Sequence, residues 1–351
     1  MNHLVVDLMS RLKPHESERR LERFLQKLKF QDNVFLVFDK DVDGISSGVI
    51  TLRAFEKMGI RISKTIPNFF DAKKFVDLKD FEAGIVVDVP TPLQENFLRK
   101  TKKKMLIIDH HPSRDVQSKN VFYINPRLAN KEIYQPTSYV AYKLFSRFVD
   151  LRKEKWIAIM GTVGDYAFED VKDLYKNHVK SKNKREIWKT QFGRAATRLN
   201  SAIAIYGPER SMEILKKSAS FKTFFSNKKI EDAHKKFSKE FWSANVRVKK
   251  SSEFYPHLNL IFAQVSPKYN RISSALSSKI STEHPDSLVI LAEKIGEKYK
   301  IHGRMQNGKM HVGDILRNFG GGGHRAAGAC TIDSNDFVAF KRKLLLILEK
   351  K

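Results

Sequence analysis

The stretch Val34-Phe35-Leu36-Val37-Phe38-Asp39-Lys40-Asp41-Val42-Asp43-Gly44 decides the reading of this chain. An apolar run ending in aspartates and a glycine, followed by a helical pattern from Ile45 to Met58 that stops at Gly59, reads as strand, acidic loop and helix. Alternate residues of an extended segment point the same way, so Asp39, Asp41 and Asp43 converge on one locus. Unpaired carboxylates there repel one another. A hard divalent cation such as Mg2+ or Mn2+, which favours oxygen ligands, relieves the repulsion. An isolated Asp-x-Asp-Gly is more commonly an acidic surface turn, so the rest of the chain has to discriminate.

The pattern recurs. Ile85-Val86-Val87 runs into Asp88, and Met105-Leu106-Ile107-Ile108 runs into Asp109-His110-His111-Pro112. Continuous apolar strands separated by helical stretches predict an α/β fold with a parallel sheet covered on both faces. All three loops leave carboxyl ends of strands, where open sheets place their binding crevice. Asp88 alone reads as a turn or cap residue. His110 and His111 beside Asp109 carry more weight, because imidazole beside carboxylates is a usual ligand set for manganese or iron, and a single capping histidine leaves the second unexplained. A helix is expected from Pro136-Thr137-Ser138, and another from Trp156 to Tyr166 containing Gly161-Thr162-Val163-Gly164-Asp165. Asp165 alone reads as a cap and becomes a ligand candidate only beside the others. Together these residues can surround two cations roughly 3.5–4 Å apart, which activates a water and stabilises an in-line phosphoryl displacement.

At 351 residues the chain exceeds the ~250–300 at which single cores stop growing, so two domains are expected. Its 41% hydrophobic content, with 25 Phe, excludes global disorder. Lys and Arg outnumber Asp and Glu by 65 to 39, a formal net charge of +26, which favours polyanionic partners, nucleic acid first. A lysine-rich surface that merely follows the composition of the source is the competing reading. Cys330 is the only cysteine, which precludes an intramolecular disulfide or Cys-based zinc site and fits a reducing compartment. No run reaches about 18 apolar residues, and the N-terminal apolar stretch is too short for a signal peptide. A soluble, cytoplasmic protein without a membrane partner is expected.

Leu21, Phe24, Leu25 and Leu28 stand at helical spacing ahead of the first strand. From Lys172 to Arg198 nine basic residues face two acidic ones, with Tyr175, Trp188 and Phe192 interleaved. This reads first as a solvated helical connector and second as a nucleic-acid contact. A second domain is expected from about Leu258, with strand-like Leu258 to Val265, helical Ile272 to Ile280, strand-like Ser287 to Leu291 and Tyr299 to Ile301, and a terminal helix from Asp336. Before that helix stands Gly320-Gly321-Gly322-Gly323-His324-Arg325-Ala326-Ala327-Gly328. Such a loop lets backbone N–H groups approach an anion, and a flexible linker is the alternative. Arg304, after a strand, offers the bidentate charge that phosphate recognition needs, although a lone arginine is more often a surface residue.

In this order, Asp41-Val42-Asp43-Gly44, Asp88, Asp109-His110-His111, Asp165 and Gly320 to Gly328 resemble the DHH phosphoesterase superfamily, in the branch that pairs a DHH domain with a C-terminal DHH-associated domain. The resemblance implies that Asp41, Asp43, Asp88, His110 and Asp165 ligate two Mn2+ or Mg2+ ions, with Asp88 bridging. It implies that His111, with Asp109, contacts substrate phosphate or supports the site, and that Arg304 and His324 grip nucleotide while Gly321, Gly322 and Gly323 hold its terminus. Asp43-Gly44-Ile45-Ser46-Ser47 is most similar to archaeal relatives of the RecJ single-strand exonucleases. Many members carry a histidine just ahead of the first aspartate pair, where this chain has Val37 and Asp39. Asp39 is therefore an additional ligand candidate, since valine cannot ligate.

The expected organisation is an N-terminal helical segment (1–30), a DHH catalytic domain (31–170), a basic helical connector (171–250) and a DHH-associated substrate-binding domain (251–351). The expected activity is exonucleolytic hydrolysis of single-stranded DNA or RNA, with replication or repair proteins as further partners. A hydrolase of short oligonucleotides or nucleotide bisphosphates, similar to nanoRNases, is the enzymatic alternative. The charge weighs against it, because a dinucleotide offers few phosphates to so many cations. A non-catalytic replication or repair scaffold is the alternative from another class, and the ligand set weighs against that.

Overall fold

Among the described residues, five short strands build the first sheet: β1 (Val34–Phe38), β2 (Ile62–Pro67), β3 (Ala83–Val87), β4 (Lys104–Ile108) and β5 (Val121–Ile124). All neighbours are parallel, in the order β2-β1-β3-β4-β5. Phe38 pairs with Val87, Val87 with Ile108 and Ile108 with Ile124, so the carboxyl ends of four strands finish level. The strand order reverses between β1 and β3, and that switch point is where open α/β sheets bind ligands. The computed structural model describes residues 16–29, 31–68, 78–90, 98–99, 101–116, 118–167, 169–175 and 187–350.

Every residue of β1 and β3 is buried, because apolar side chains leave both faces. Val34, Leu36 and Phe38 enter a core with Phe24, Phe55, Phe122 and Phe145. Phe35 and Val37 enter another with Val86, Met105, Ile107 and Tyr123. Edge-on pairs such as Phe24–Phe122 (5.8 Å) and Phe55–Phe145 (5.7 Å) fill the first. Each fully buried Phe contributes roughly 1.5–3 kcal/mol over an exposed one. That core is closed by helices α1 (Glu16–Lys27), α2 (Val42–Lys57), α3 (Thr137–Phe145) and α4 (Lys155–Gly164).

Helix α2 starts three residues before the Ile45 expected from the sequence. Asp41 is its N-cap and accepts from the Gly44 N–H at 2.9 Å, and Asp43 in the first turn complements the helix dipole. A Cβ on Gly44 would stand 2.3 Å from the Asp39 carbonyl oxygen, so only glycine lets the helix start this close to β1. The three aspartates therefore do not share one face of an extended segment. Asp39 ends the strand, Asp41 caps and Asp43 is helical.

Short helix α5 (Lys172–Tyr175) and helices α6 (Gln191–Tyr206), α7 (Pro208–Lys217), α8 (Phe221–Phe225) and α9 (Lys228–Ser251) follow. Tyr175 and Phe192 are buried in the first core, whereas Trp188 is half-buried. Residues 176–186, the middle of the basic stretch, lie outside the described residues. By its internal contacts the chain divides into Met1–Ala233 and His234–Lys351.

The second unit carries β6 (Glu253–Tyr255), β7 (Leu260–Val265), α10 (Ile272–Glu283), β8 (Leu288–Ile295), β9 (Lys298–Arg304), α11 (Val312–Arg317), β10 (Gly322–Gly323), β11 (Ala327–Asp333) and α12 (Phe337–Glu349). Its six strands run in the order β10-β11-β9-β8-β7-β6, with β7–β8 parallel and the other pairs antiparallel. Leu260, Phe262, Ile290, Ile301, Leu316 and Leu344 form its core. Among the described residues no helix is long and apolar enough to cross a membrane.

Candidate metal centre

Three aspartates leave the level strand ends, and each backbone N–H is tied to the end of the next strand. Asp39 donates to Val87 O (3.2 Å), Asp88 to Ile108 O (3.0 Å) and Asp109 to Ile124 O (3.0 Å). Lateral spacing between strands thus fixes the spacing between these residues. Asp88 adopts a left-handed φ of 64°, a costly conformation for a residue with a Cβ that persists where the surroundings impose it.

Helices bring the remaining carboxylates. Asp43, 1% exposed, accepts from the first backbone N–H groups of α3, Thr137 at 2.7 Å and Ser138 at 3.0 Å. The Thr137 hydroxyl donates to Asp88 Oδ1 at 2.8 Å. Asp165 is the C-cap of α4, and its Oδ2 accepts from the Tyr134 hydroxyl at 2.8 Å. His110 Nε2 lies 3.4 Å from Asp88 Oδ1 and 3.6 Å from Asp165 Oδ2. Asp39 accepts from Asn68 Nδ2 at 3.3 Å.

These atoms fall into three overlapping groups with ligand spacing: Asp39–Asp41–Asp88, Asp43–His110–Asp165 and Asp88–His110–His111. All six metal-ligand candidates from the sequence thus come together, and His111 joins them. Asp109 does not join. It is fully buried, accepts from the Tyr123 hydroxyl at 3.4 Å and lies 2.7 Å from His111 Nδ1, so it orients His111. Asn125 Nδ2 also holds the His111 carbonyl, at 2.9 Å.

The electrostatics fit a cation. Burial, then the charge of Asp41, pushes the Asp43 carboxyl up to about 7. Burial, then the charge of Asp43, raises Asp88 and Asp165 well above the usual carboxylate range. Burial, then the charge of Asp41, also raises Asp39. Burial, with the charges of His111 and Arg127, holds His110 down to about 3, so its ring is neutral and able to ligate. Among the described residues, His110 Nδ1 is buried without a hydrogen-bond partner. His111 is opposed by burial yet raised by its bond to Asp109. A divalent ion would supply the missing counter-charge, and the oxygen and imidazole donors present suit one.

Tyr134, Thr137, Asn68 and Asn125 were not legible as site residues. Thr137 begins an expected helix, but nothing local ties it to Asp43, which is 94 residues away. Tyr134, with its ring centroid 5.3 Å from that of His110, carries no motif signal.

In the second unit, Arg304 ends β9 and is half-buried, with Nη2 donating to Ser274 Oγ at 3.1 Å and Nη1 to Gly303 O at 2.9 Å. His324 is exposed. Gly322 and Gly323 pair with Ala329 and Gly328. The Gly321 N–H is used by Leu316 O at 3.1 Å and the His324 N–H by Ala327 O at 2.7 Å, so these two do not point outward as anion donors.

Against known proteins, the DHH family, N-terminal domain, matches residues 33–163, and the DHHA1 domain matches residues 258–350. RecJ in complex with Mn2+ from Thermus thermophilus superposes with a TM-score of 0.76 at 14% identity, over 98% of this chain and 56% of that one. This chain thus spans about half the length of that protein. Exonuclease RecJ bound to manganese superposes with a TM-score of 0.73 at 14% identity, over 97% of this chain and 96% of that one. The A-adding tRNA nucleotidyltransferase of Aquifex aeolicus (strain VF5) is 36% identical over 66 residues, 19% of this chain and 8% of that protein. The structural likenesses show the fold. With both domains matched in order, the chain belongs to the DHH phosphoesterase superfamily, in the branch that carries a DHHA1 domain.

Proposed function

We propose that this protein is a divalent-metal-dependent phosphodiesterase that removes nucleotides from an end of single-stranded DNA or RNA. The observation that carries the reading is the overlap of the ligand groups at Asp88 and His110. The carboxylate group Asp39–Asp41–Asp88 and the mixed group Asp43–His110–Asp165 would hold two ions, Mn2+ or Mg2+. When bound, such a pair would supply activation of a water and neutralisation of charge on the phosphoryl oxygens.

The chain's own residues prepare that chemistry. Asp43 and Asp88 are held by Thr137 and Ser138, so two ligands cannot swing away when a substrate enters. His111, half-exposed at 35% of its side chain and fixed by Asp109, offers its other nitrogen to a phosphate oxygen. Arg304 and His324 are assigned to gripping the nucleotide, and the net charge of +26 favours a polyanionic substrate.

The test is incubation in Mn2+ with separately 5′- and 3′-labelled single strands of DNA and RNA, with EDTA and Asp88→Ala controls. Mononucleotides should appear at once from one labelled end, with none in EDTA. A well-folded Asp88→Ala protein with undiminished turnover in Mn2+ would sink the metal assignment. Internal cleavage without end dependence would sink the exonuclease assignment.

A further inference from the structure

Helix α4 ends in a closure that normally belongs to glycine. The Ala167 N–H donates to Thr162 O at 3.2 Å and the Tyr166 N–H to Val163 O at 3.1 Å, the paired bonds of a Schellman end. The left-handed residue in that motif is Tyr166, at φ 56°. A side chain there is strained where glycine is not, and the strain is not repaid by burial, because Tyr166 is 57% exposed. It directly follows the ligand candidate Asp165.

The ring of Tyr166 lies against Trp188, with centroids 4.9 Å apart and planes at 47°. Trp188 is itself held in place. A Cβ on Gly193, in the first turn of α6, would stand 2.4 Å from both the Cα and the carbonyl oxygen of Trp188, so the chain carrying the indole is pressed against that helix. Trp188 belongs to the basic, aromatic stretch that the metal centre leaves unused. A strained, exposed ring on the residue after the ligand candidate Asp165, with one side against an indole whose backbone is pressed to α6, suits a flat apolar partner attached to a phosphate.

We propose that Tyr166, backed by Trp188, is a stacking platform for the nucleobase of the nucleotide bound at the metal centre, so that the site selects nucleotides over base-free phosphodiesters and polyphosphates. This rests on the phosphodiesterase reading. Every base has a π-face, so the platform would be tolerant of sequence.

The probes are a short thymidine oligonucleotide and an all-abasic tetrahydrofuran oligomer of the same length. Binding is measured by fluorescence anisotropy in Ca2+, and hydrolysis separately in Mn2+. Stacking on one aromatic platform is worth about 5- to 150-fold in affinity, so the wild type should prefer the thymidine probe by that order. Tyr166→Gly should fold normally, since glycine suits the left-handed position, and should lose at least about 5-fold of the preference by weakening thymidine binding alone. Tyr166→Phe should keep the preference. An unchanged preference in Tyr166→Gly, equal binding of both probes by the wild type, or no binding of either overturns the platform. Base-dependent binding in Ca2+ without hydrolysis in Mn2+ would instead overturn the phosphodiesterase reading and leave the platform standing.

Discussion

Removing metal should make the protein lose stability as the pH rises through neutrality, and restoring Mn2+ should abolish that loss. Burial, then the charge of Asp41, sets the Asp43 carboxyl at about 7 in the folded chain, against about 4 in the unfolded one. A group whose folded pKa is raised contributes stability below its unfolded pKa, and that stability disappears as the pH climbs through the folded pKa. For Asp43 the whole loss is on the order of 4 kcal/mol. Asp88 and Asp165, also raised, each add a slope of about 1.4 kcal/mol per pH unit while they hold a proton that the unfolded chain has released. His111 is raised too and acts in the same direction. His110 acts in the opposite one, since its folded value of about 3 means that only the unfolded chain protonates, but this stops above about pH 6.5. From about pH 6.5 to 8 the carboxyls and His111 therefore act together in one direction, and one retained proton is worth roughly 2 kcal/mol. For a unit of about 150–250 residues that is roughly 4–8 °C in Tm. Thermal melts in EDTA across this window, repeated in saturating Mn2+, provide the measurement. A flat EDTA profile, or an equal slope with Mn2+ present, would refute the crowded-carboxylate account.

Three further outcomes are expected. Asp39→Asn should raise the Mn2+ concentration needed for half-maximal rate, since a neutral amide is a poorer partner for a hard cation; an unchanged titration would make Asp39 only a partner of Asn68. Thr137→Val removes the hydroxyl that positions Asp88 and should weaken metal affinity or turnover by roughly 10–100-fold, and wild-type values for both would show that the bond is not needed. Arg304→Ala and His324→Ala should each weaken nucleotide binding, for Arg304 by about 10–100-fold, while calorimetry finds metal binding intact; lost metal with intact nucleotide affinity would reverse the roles.

Much of this was legible in the sequence because strand, acidic loop and helix is a local pattern. Val34–Phe38 ending at Asp39, Val87 before Asp88 and Ile108 before Asp109 were each readable where they stand, and a parallel sheet follows from their apolar continuity. What groups the ligands was not readable. Alternation suggested that Asp39, Asp41 and Asp43 act as one set, but the cap at Asp41 turns the chain into a helix and sends Asp43 to His110 and Asp165 instead. The supports for Asp43 and Asp88 arrive from Thr137, 94 and 49 residues along the chain, and no spacing rule reaches that far. The glycine loop was legible as a close backbone approach. Which of its N–H groups are already used depends on Leu316 and Ala327, and that is a tertiary fact.

The tying of each strand-end aspartate to the neighbouring strand has a consequence for biosynthesis. The ligand candidates are spread from Asp39 to Asp165, and their spacing exists only once β1, β3 and β4 lie side by side. A growing chain on the ribosome therefore cannot hold a metal in this way until α4 has emerged, and parallel pairing of distant segments is slow to form. Completion of the centre is therefore a late event that follows assembly of the sheet, and a chain truncated before residue 165 should lack the Asp43–His110–Asp165 group while keeping the residues of Asp39–Asp41–Asp88.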